Sequence, residues 1–181
     1  SWDRMLISSG ASVYAPRYAD VNSSERKLSM SGWGEELLYY KDGLGATVTV
    51  RKRPDSGTIV MAVNGKVDAS NSGDMYTQLM VGHIPLLLSP DPKTALVIGL
   101  GSGATLGAVA QHPLTSIDCV EIEQAVVDAS DFFKTENRNV LKDRRVHLIV
   151  NDGRNHLATT SKKYDVIVSE PSNLWLAGMS N

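Results

Sequence analysis

The stretch Ala95-Leu-Val-Ile-Gly-Leu-Gly-Ser-Gly-Ala104 decides the fold of this 181-residue chain. An apolar run leads directly into Gly99, Gly101 and Gly103, and a helix-like segment follows. This pattern is typical of a buried parallel strand that turns sharply into a helix, because glycine permits unusual backbone conformations and lets a ligand approach the main chain. The stretch therefore predicts an α/β domain of the nucleotide-binding kind.

Strand-like and helix-like segments alternate downstream of these glycines. We predict strands at residues 95–98, 116–120, 146–150 and 164–169, and helices at residues 104–111, 124–133 and 154–160. Short apolar strands separated by helices indicate a parallel sheet that is covered on both faces. Ligands of such sheets bind at the carboxyl ends of the strands.

The glycine spacing separates two kinds of ligand. The dinucleotide fingerprint is not matched cleanly, because the third small residue is not at its usual place. The loop is more similar to that of S-adenosylmethionine-type folds, whose ligands carry no phosphate and place the amino-acid tail and the ribose over the loop. The expected fold class is therefore α/β, with an S-adenosylmethionine-type, Rossmann-like parallel sheet that is C-terminally incomplete here. The alternative is a tight turn that binds nothing.

The segment before this sheet has a different pattern. Residues 37–40, 46–52 and 58–63 are strand-like, and Asn64-Gly65 is a strong signal for a type I′ hairpin. These features predict a small antiparallel β segment. We expect an N-terminal extension or linker at residues 1–34, a small β-rich domain at residues 35–74, and a partial Rossmann-like, nucleoside-binding catalytic domain at residues 75–181.

A helix is expected to join the two parts. Asp74 is placed to cap it, since a carboxylate can accept hydrogen bonds from the first free amides. Its apolar residues are Met75, Leu79, Met80 and Ile84. His83 has no visible carboxylate partner and no metal-ligand spacing, so we interpret it as a histidine at the helix end. The sequence contains no recognisable metal-binding constellation.

Composition excludes several functional classes. The formal net charge of −2 gives no support for binding to nucleic acid or to an anionic membrane. The basic clusters at residues 51–53 and 142–145 are interpreted as solvated surface. Cys119 is the only cysteine, so an intrachain disulfide is excluded, and we expect a buried, inert thiol and a reducing, cytoplasmic compartment. No apolar run approaches the length of about 20 residues that a membrane-spanning helix needs.

Two acidic positions at strand ends are candidates for holding a nucleoside. Glu121 ends the second parallel strand, where its two oxygens can accept both ribose hydroxyls; Glu123 nearby is interpreted as surface. Asp152-Gly153 follows the third strand, where the acid can accept from the exocyclic amine of adenine and the glycine lets the base lie against the backbone. The alternative for Asp152 is a helix N-cap, and both roles can hold together.

Glu170 is the candidate catalytic residue. It ends the fourth parallel strand, before Pro171 and Asn173. A carboxylate at the mouth of the site can attract an ammonium group and then take its proton, which generates the neutral amine that a nucleophilic attack requires. The alternative is a structural carboxylate that is bound to neighbouring amides.

Taken together, these positions resemble the polyamine aminopropyltransferases, the spermidine synthase family, over residues 37–173. The resemblance rests on an ordered set of motifs: Val63-Asn-Gly-Lys-Val-Asp68, Met75-Tyr-Thr-Gln-Leu-Met80, His83-Ile-Pro-Leu86, Pro90-Asp-Pro92, Leu96-Val-Ile-Gly-Leu-Gly-Ser-Gly103, Val120-Glu-Ile-Glu123, Asn151-Asp-Gly153 and Tyr164-Asp-Val-Ile-Val-Ser-Glu-Pro171. The ending Ser-Glu-Pro-Ser-Asn-Leu-Trp is more similar to a bacterial branch in which the synthase-like domain follows a transporter-like membrane domain. We therefore expect a piece of a longer protein.

The resemblance implies an activity and a set of site residues. The reaction would transfer an aminopropyl group from decarboxylated S-adenosylmethionine, a co-substrate rather than a permanently bound cofactor, to a polyamine. The donor would be held by residues of the glycine loop and the strand ends, namely Gln78, Gly99, Gly101, Ser102, Gly103, Glu121, Asp152 and Gly153. Glu170 would be the catalytic base, and Tyr76 and Asn173 would also contact the acceptor. The resemblance further implies a homodimer, and for a fused parent a location on the cytoplasmic side of the membrane.

Three departures from the family pattern leave alternatives open. Ser102 and Asn173 stand where acidic residues are usual, and Thr77 stands where a tyrosine is often found. A serine hydroxyl would not strongly reject the carboxylate of ordinary S-adenosylmethionine. The alternatives are therefore a methyltransferase-like enzyme that uses S-adenosylmethionine, and a non-catalytic nucleoside-binding domain of a membrane protein.

Overall fold

The computed structural model describes residues 3–10, 14 and 34–169. A short helix, α1 (Arg4–Ile7), comes first. The antiparallel sheet consists of β1 (Glu36–Asp42), β2 (Thr47–Lys52), β3 (Ile59–Val63) and β4 (Lys66–Ser70), in the order β1-β2-β3-β4. Asn64 and Gly65 have φ values of 51° and 79°, the left-handed pair that a type I′ turn requires, so the predicted hairpin is confirmed.

The second half of the chain forms the parallel sheet. Its elements are α2 (Met75–Leu88), β5 (Thr94–Ile98), α3 (Ala104–Val109), β6 (Ser116–Glu121), α4 (Gln124–Ala129), β7 (Val146–Val150), α5 (Gly153–Thr159) and β8 (Val166–Ser169), with 3₁₀ turns at Ser130–Phe133 and Val140–Lys142. The strand order is β7-β6-β5-β8 and all pairs are parallel. The predicted α/β fold is confirmed.

The strand order places a topological switch point beside β5. From β5 the chain moves to β6 and β7 on one side, and then returns to β8 on the other side. Open α/β sheets bind their ligands at such a point, outside the carboxyl ends of the strands. The glycine loop leaves β5 at this place.

One hydrophobic core joins the two sheets. Val48, Val50 and Met61 of the antiparallel sheet are fully buried in the same cluster as Val97 and Ile117 of the parallel sheet. Helix α4 lies between the sheets and contacts β1 and β2. The antiparallel segment is therefore packed against the parallel sheet rather than attached by a linker alone.

The prediction that both faces of the parallel sheet are covered holds for its two central strands and only partly for its two outer strands. β5 and β6 are buried almost throughout, whereas Ile167 of β8 is 51% exposed and Val150 of β7 is 48% exposed. Cys119 of β6 is fully buried, and burial together with the charge of Glu121 raises the pKa of its thiol to about 12. The expectation of a buried, unreactive thiol is confirmed.

The predicted apolar face of α2 is partly wrong. Met80 and Ile84 are 51% and 42% exposed, whereas the buried residues are Gln78, Gly82 and Leu86, which are spaced by four. The reason is close packing against α3. A Cβ atom on Gly82 would lie 2.7 Å from the backbone oxygen of Thr105, so this helix pair selects small residues rather than large apolar ones.

The basic cluster at residues 51–53 is not entirely solvated, which corrects the sequence interpretation. Arg51 is 7% exposed and pairs with Glu35, Nη1 to Oε2, at 3.3 Å. Its strand β2 lies between β1 and β3, so both of its edges are hydrogen-bonded to neighbouring strands. None of the helices in the described part of the chain has the length and apolar character that crossing a bilayer requires.

Candidate functional site

The turn from β5 into α3 is built by three glycines. Gly99, Gly101 and Gly103 have φ values of 91°, 53° and 81°, all in the left-handed region that favours glycine. Gly103 is the residue before the first turn of α3. The three glycines of the sequence motif therefore adopt the unusual backbone conformations that we predicted for this turn.

Most amides of this loop are satisfied inside the protein. Hydrogen bonds of 2.8 to 3.2 Å run from Gly99 N to Val120 O, from Leu100 N to Glu121 Oε2, from Gly103 N to Leu100 O, and from Ala104 N to Ser102 Oγ. A pyrophosphate-binding loop instead presents its amides to the ligand. The loop is therefore better suited to a ligand without phosphate, in agreement with its glycine spacing.

Glu121 is fixed beside the glycine loop at the carboxyl end of β6. Its side chain is buried, with the residue 7% exposed. Oε2 accepts from Leu100 N at 2.8 Å, and Oε1 accepts from Glu123 N at 2.9 Å. Each carboxylate oxygen has room for a second donor. A pair of adjacent hydroxyls is therefore the type of ligand that would complete this carboxylate.

Asp152 and Gly153 lie at the end of the neighbouring strand, β7. Asp152 is exposed, and its Oδ1 accepts from Asn155 N at 2.8 Å, which caps α5. A Cβ atom on Gly153 would lie 2.7 Å from Cγ2 of Ile98, so only glycine lets α5 start this close to β5. The N-cap role of Asp152 is therefore observed. Its contact with a ligand, for which its second oxygen is available, stays a prediction.

Gln78 and Ser102, both predicted to contact the donor, bind each other. Oγ of Ser102 donates to Oε1 of Gln78 at 2.5 Å, and Nε2 of Gln78 donates to Ser70 O and to Oδ2 of Asp74 at 3.2 and 3.0 Å. Both residues are at least 95% buried. Asp74 precedes α2 but does not cap its amides with its side chain, contrary to our prediction, because its carboxylate instead accepts from Ser70 and Gln78.

An open groove of about 610 Å³ lies between α2 and β8. Tyr76, which is 81% exposed, lines it together with Thr77 and Ser169, and most of the remaining lining is apolar. Ser169 is the last residue of β8. Glu170 and Asn173, the predicted base and acceptor contact, lie outside the described residues.

Asn137 supports the site but was not predicted from the sequence. Asn137 is 4% exposed, and its Nδ2 donates to Ser102 O at 2.9 Å and to Ser130 O at 3.0 Å, so it holds the glycine loop from behind. Its segment has no hydrophobic periodicity, and no sequence signal identifies it.

Glu123 was interpreted as surface, but it is 7% exposed. It accepts from Gly45 N and Ala125 N, both at 3.1 Å, and the Gly45 amide in particular lowers the pKa of its carboxyl. An acid directly before a helix is an N-cap signal that the sequence did contain.

A buried network supports α5 from the other side. Asp118 of β6 is 1% exposed and accepts from Nζ of Lys162 and from the hydroxyl of Tyr164, both at 2.7 Å. Burial of Asp118 favours its neutral form, but these two hydrogen bonds outweigh burial and leave its pKa below the ordinary value. Nε2 of His156 lies 3.2 Å from the same hydroxyl. This network ties α5, and with it the Asp152-Gly153 turn, to the centre of the sheet.

The site thus combines a glycine loop, a bidentate carboxylate and an exposed acid on three adjacent strand ends. Comparison with known proteins gives one family. The model of the spermine/spermidine synthase domain matches residues 74–173. A polyamine aminopropyltransferase of Methanocaldococcus jannaschii is 37% identical over 135 residues, which are 74% of this chain and 46% of that protein.

Two further comparisons agree. A spermidine synthase of Dictyostelium discoideum is 31% identical over 140 residues, 77% of this chain and 49% of that protein. A crystal structure of spermidine synthase in complex with the transition-state analogue AdoDATO superposes with a TM-score of 0.70 at 23% identity, covering 76% of this chain and 47% of that one, which supports the fold. The chain spans somewhat less than half the length of each of these proteins.

Proposed function

Because the chain belongs to the spermine/spermidine synthase family, we propose that it carries the nucleoside-donor site of a polyamine aminopropyltransferase. The observation that carries the proposal is the Glu121 carboxylate, which two backbone amides hold at the edge of the glycine loop. In this proposal its remaining acceptor positions take the two ribose hydroxyls of decarboxylated S-adenosylmethionine. The free oxygen of Asp152 takes the exocyclic amine of adenine.

The proposed reaction is a nucleophilic displacement. The amine nitrogen of a polyamine attacks the carbon next to the sulfonium, the bond between that carbon and sulfur breaks, and the electron pair stays on sulfur. Methylthioadenosine leaves, and the attacking nitrogen loses its proton to a base. We assign that base to Glu170, because a positioned carboxylate contributes about 10²- to 10⁴-fold to such a step.

The acceptor is proposed to enter through the groove between α2 and β8. Tyr76 and Ser169 line this groove, and Ser169 directly precedes Glu170 in the chain. Tyr76 has an exposed ring that can cover the methylene chain of an amine. Asn173 would supply a neutral contact where a second acid is usual, which lowers the attraction for a second ammonium group.

Gln78 and Ser102 are proposed to act through the shape of the loop. Their polar atoms are bonded to each other, to Ser70, to Asp74 and to the Ala104 amide. Neither side chain then needs to contact the donor in order to affect its binding, because together they fix the turn that carries Gly101 and Gly103.

Three further proposals concern the organisation of the protein. They are the division at residue 74 into a small β-rich domain and a catalytic domain, the homodimer, and the fusion to a membrane domain.

Calorimetric titration tests the donor site directly. The ligands are decarboxylated S-adenosylmethionine, S-adenosylmethionine, methylthioadenosine and, as a dinucleotide, NAD. We expect the nucleosides to bind and the decarboxylated donor to bind more tightly than the ordinary one. A preference for the ordinary donor would instead support methyl transfer. A preference for NAD would contradict the prediction that the glycine loop binds a ligand without phosphate.

A matched pair of variants identifies the residue. Glu121→Gln replaces one acceptor oxygen with a donor, and we expect it to weaken binding of methylthioadenosine by about tenfold or more, since hydrogen bonds to charged groups are worth about 1.5–3 kcal/mol. Glu36→Gln makes the same chemical change at an exposed position of β1 and should leave affinity unchanged. Equal affinity in both variants would remove Glu121 from the site.

A further inference from the structure

A second concave site lies at the opposite edge of the parallel sheet. It has a volume of about 560 Å³ and is formed by the end of α3 and the segment that leads into β7. Arg145 lines it and directly precedes β7. The pocket is therefore at the amino end of that strand, whereas Glu121 and the glycine loop are at carboxyl ends. The two sites are on different edges of the molecule.

The pocket concentrates positive charge in a chain whose formal net charge is −2. Its lining contains the cations Arg138, Lys142 and Arg145. Asp143 is the one carboxylate among the described lining residues, and its Oδ2 is paired with Nη2 of Arg145 at 2.6 Å. The charges of Arg138 and Lys142 therefore have no counterpart within the lining.

Arg145 builds the wall of this pocket rather than offering donors. Its five N–H groups are used by the surrounding protein: Nη1 donates to His112 O and Leu114 O, Nη2 donates to Ala110 O and Asp143 Oδ2, and Nε donates to Asp143 Oδ1, over 2.6 to 3.3 Å. These bonds fix the end of α3 against the start of β7. The cluster at residues 142–145 is thus not simply solvated surface, which corrects the sequence interpretation.

Arg138 and Asn139 have an unusual backbone conformation. Their φ values are 56° and 53°, a left-handed pair that is sparsely populated by arginine. Asn137 helps to hold this turn, because its Oδ1 accepts from Asn139 N at 2.9 Å while its Nδ2 is anchored on Ser102 O and Ser130 O. Such conformations persist where the surroundings impose them, and they are concentrated at ligand-binding sites. The turn places Arg138 on the pocket side of a rigid support.

The side-chain donors that remain in the lining are exposed to solvent. Arg138, Asn139 and Lys142 are all exposed and all line the pocket. A guanidinium presents a planar fork that matches two oxygens of a phosphate, and a lysine adds a compact charge. The amide of Asn139 adds two neutral donors. We propose that this pocket binds the phosphate group of a small molecule, at a site separate from the nucleoside site.

Inorganic phosphate and inorganic pyrophosphate are the probes that test this site. Both are titrated at constant ionic strength into the ¹⁵N-labelled chain, with backbone amide shifts recorded by NMR. We expect saturable binding, with pyrophosphate tighter than phosphate, and shifts concentrated at Gly107, Gln111 and Asn139. Shifts confined to Gly99–Gly103, or shifts that grow linearly without saturation, would overturn the proposal.

Three charge-removal variants distinguish binding by the pocket's own side chains from attraction by the general positive potential of this surface. We expect Arg138→Gln and Lys142→Gln each to weaken pyrophosphate binding by about tenfold, because each removes a charge-assisted contact. Arg144→Gln removes an equal charge from an exposed residue that neighbours the pocket but does not line it. It should change the affinity by less than about twofold, as expected for screened surface charges. An equal loss in all three variants would mean that only the general field attracts the anion.

Discussion

The hydroxyl of Ser102 donates to the side-chain oxygen of Gln78 over 2.5 Å, inside a region where both residues are at least 95% buried. This bond connects the glycine loop to helix α2. Because Gln78 also donates to the backbone of Ser70, it extends the connection to the end of the antiparallel sheet. The loop that is proposed to hold the donor is thus set by contacts from both halves of the chain.

The first prediction concerns this bond. Ser102→Ala and Gln78→Leu should each lower the free energy of unfolding by about 1–3 kcal/mol, since each leaves a buried polar partner unsatisfied. The double variant should lose less than the sum, because neither partner then remains. Urea unfolding measures the cycle, and Ser56→Ala, at an exposed loop position, is the control. Additive losses would show that the two side chains are not coupled.

The second prediction concerns the start of α5. Gly153→Ala should lower the free energy of unfolding by about 1–3 kcal/mol and weaken methylthioadenosine binding, because the new methyl group would overlap Ile98. Gly73→Ala is the matched control, since a Cβ atom at Gly73 meets nothing within 4 Å. Thermal unfolding and calorimetry give the two readouts. Identical behaviour of the two variants would contradict the close approach of α5 to β5.

The third prediction concerns the buried network under α5. Tyr164→Phe should cost about 1 kcal/mol of unfolding free energy, because Asp118 loses one of its donors in a buried place. Tyr40→Phe also removes a tyrosine hydrogen bond to an aspartate, Asp42, but that bond is exposed to solvent. We expect a smaller loss there, since water replaces the missing donor. Equal losses in chemical unfolding would show that burial of Asp118 adds nothing.

The fourth prediction concerns pH. Nδ1 of His83 lies 3.0 Å from Nε2 of His112, which follows α3. The interpretation of His83 as a histidine at the helix end was wrong, because α2 continues to Leu88. Burial, and secondly the charge of His83, lower the pKa of His112 below its ordinary value of 6.5. The unfolded chain therefore binds the proton more readily. Stability from this group is complete above pH 6.5 and is lost as the pH falls through the folded pKa of His112.

NMR titration of His112 and unfolding at several pH values test this prediction. His83→Gln should raise the pKa of His112 only in part, because burial is the larger cause. His112→Gln should flatten the loss of stability below pH 6.5, whereas His147→Gln, at an exposed position of β7, should not. A His112 pKa that returns fully to its ordinary value in His83→Gln would reverse the order of the two causes.

The sequence predicted the parallel sheet well because its signals are local. Short apolar runs, such as the one that ends at Gly99, located each parallel strand to within about two residues, and Asn64-Gly65 located the hairpin. The packing face of α2 was not predictable in the same way. Gly82 is buried because α3 approaches closely, and nothing in a single helix sequence reveals the neighbour that requires a small residue.

The candidate site was predicted in position but not in all of its supports. Glu121 ends one apolar strand and Asp152 follows another, so their place at one edge of the sheet could be inferred. Asn137 is contributed by an irregular segment, and its contact with Ser102 exists only in the folded chain. Arg51 is similar, since its burial depends on β2 having partners on both sides.

The Glu123 carboxylate has a consequence for protein engineering. It accepts from Gly45 in the β1–β2 turn, while the backbone amide of Glu123 holds Glu121. Cutting the chain near residue 74 to isolate the parallel sheet would leave one oxygen of this acid without its donor and would strip the cover from the shared core. The fragment would retain every residue proposed to contact the nucleoside. However, Glu123, whose backbone amide holds the Glu121 carboxylate, would be less well fixed. A shortened chain intended for crystallisation or screening should therefore keep the small sheet attached.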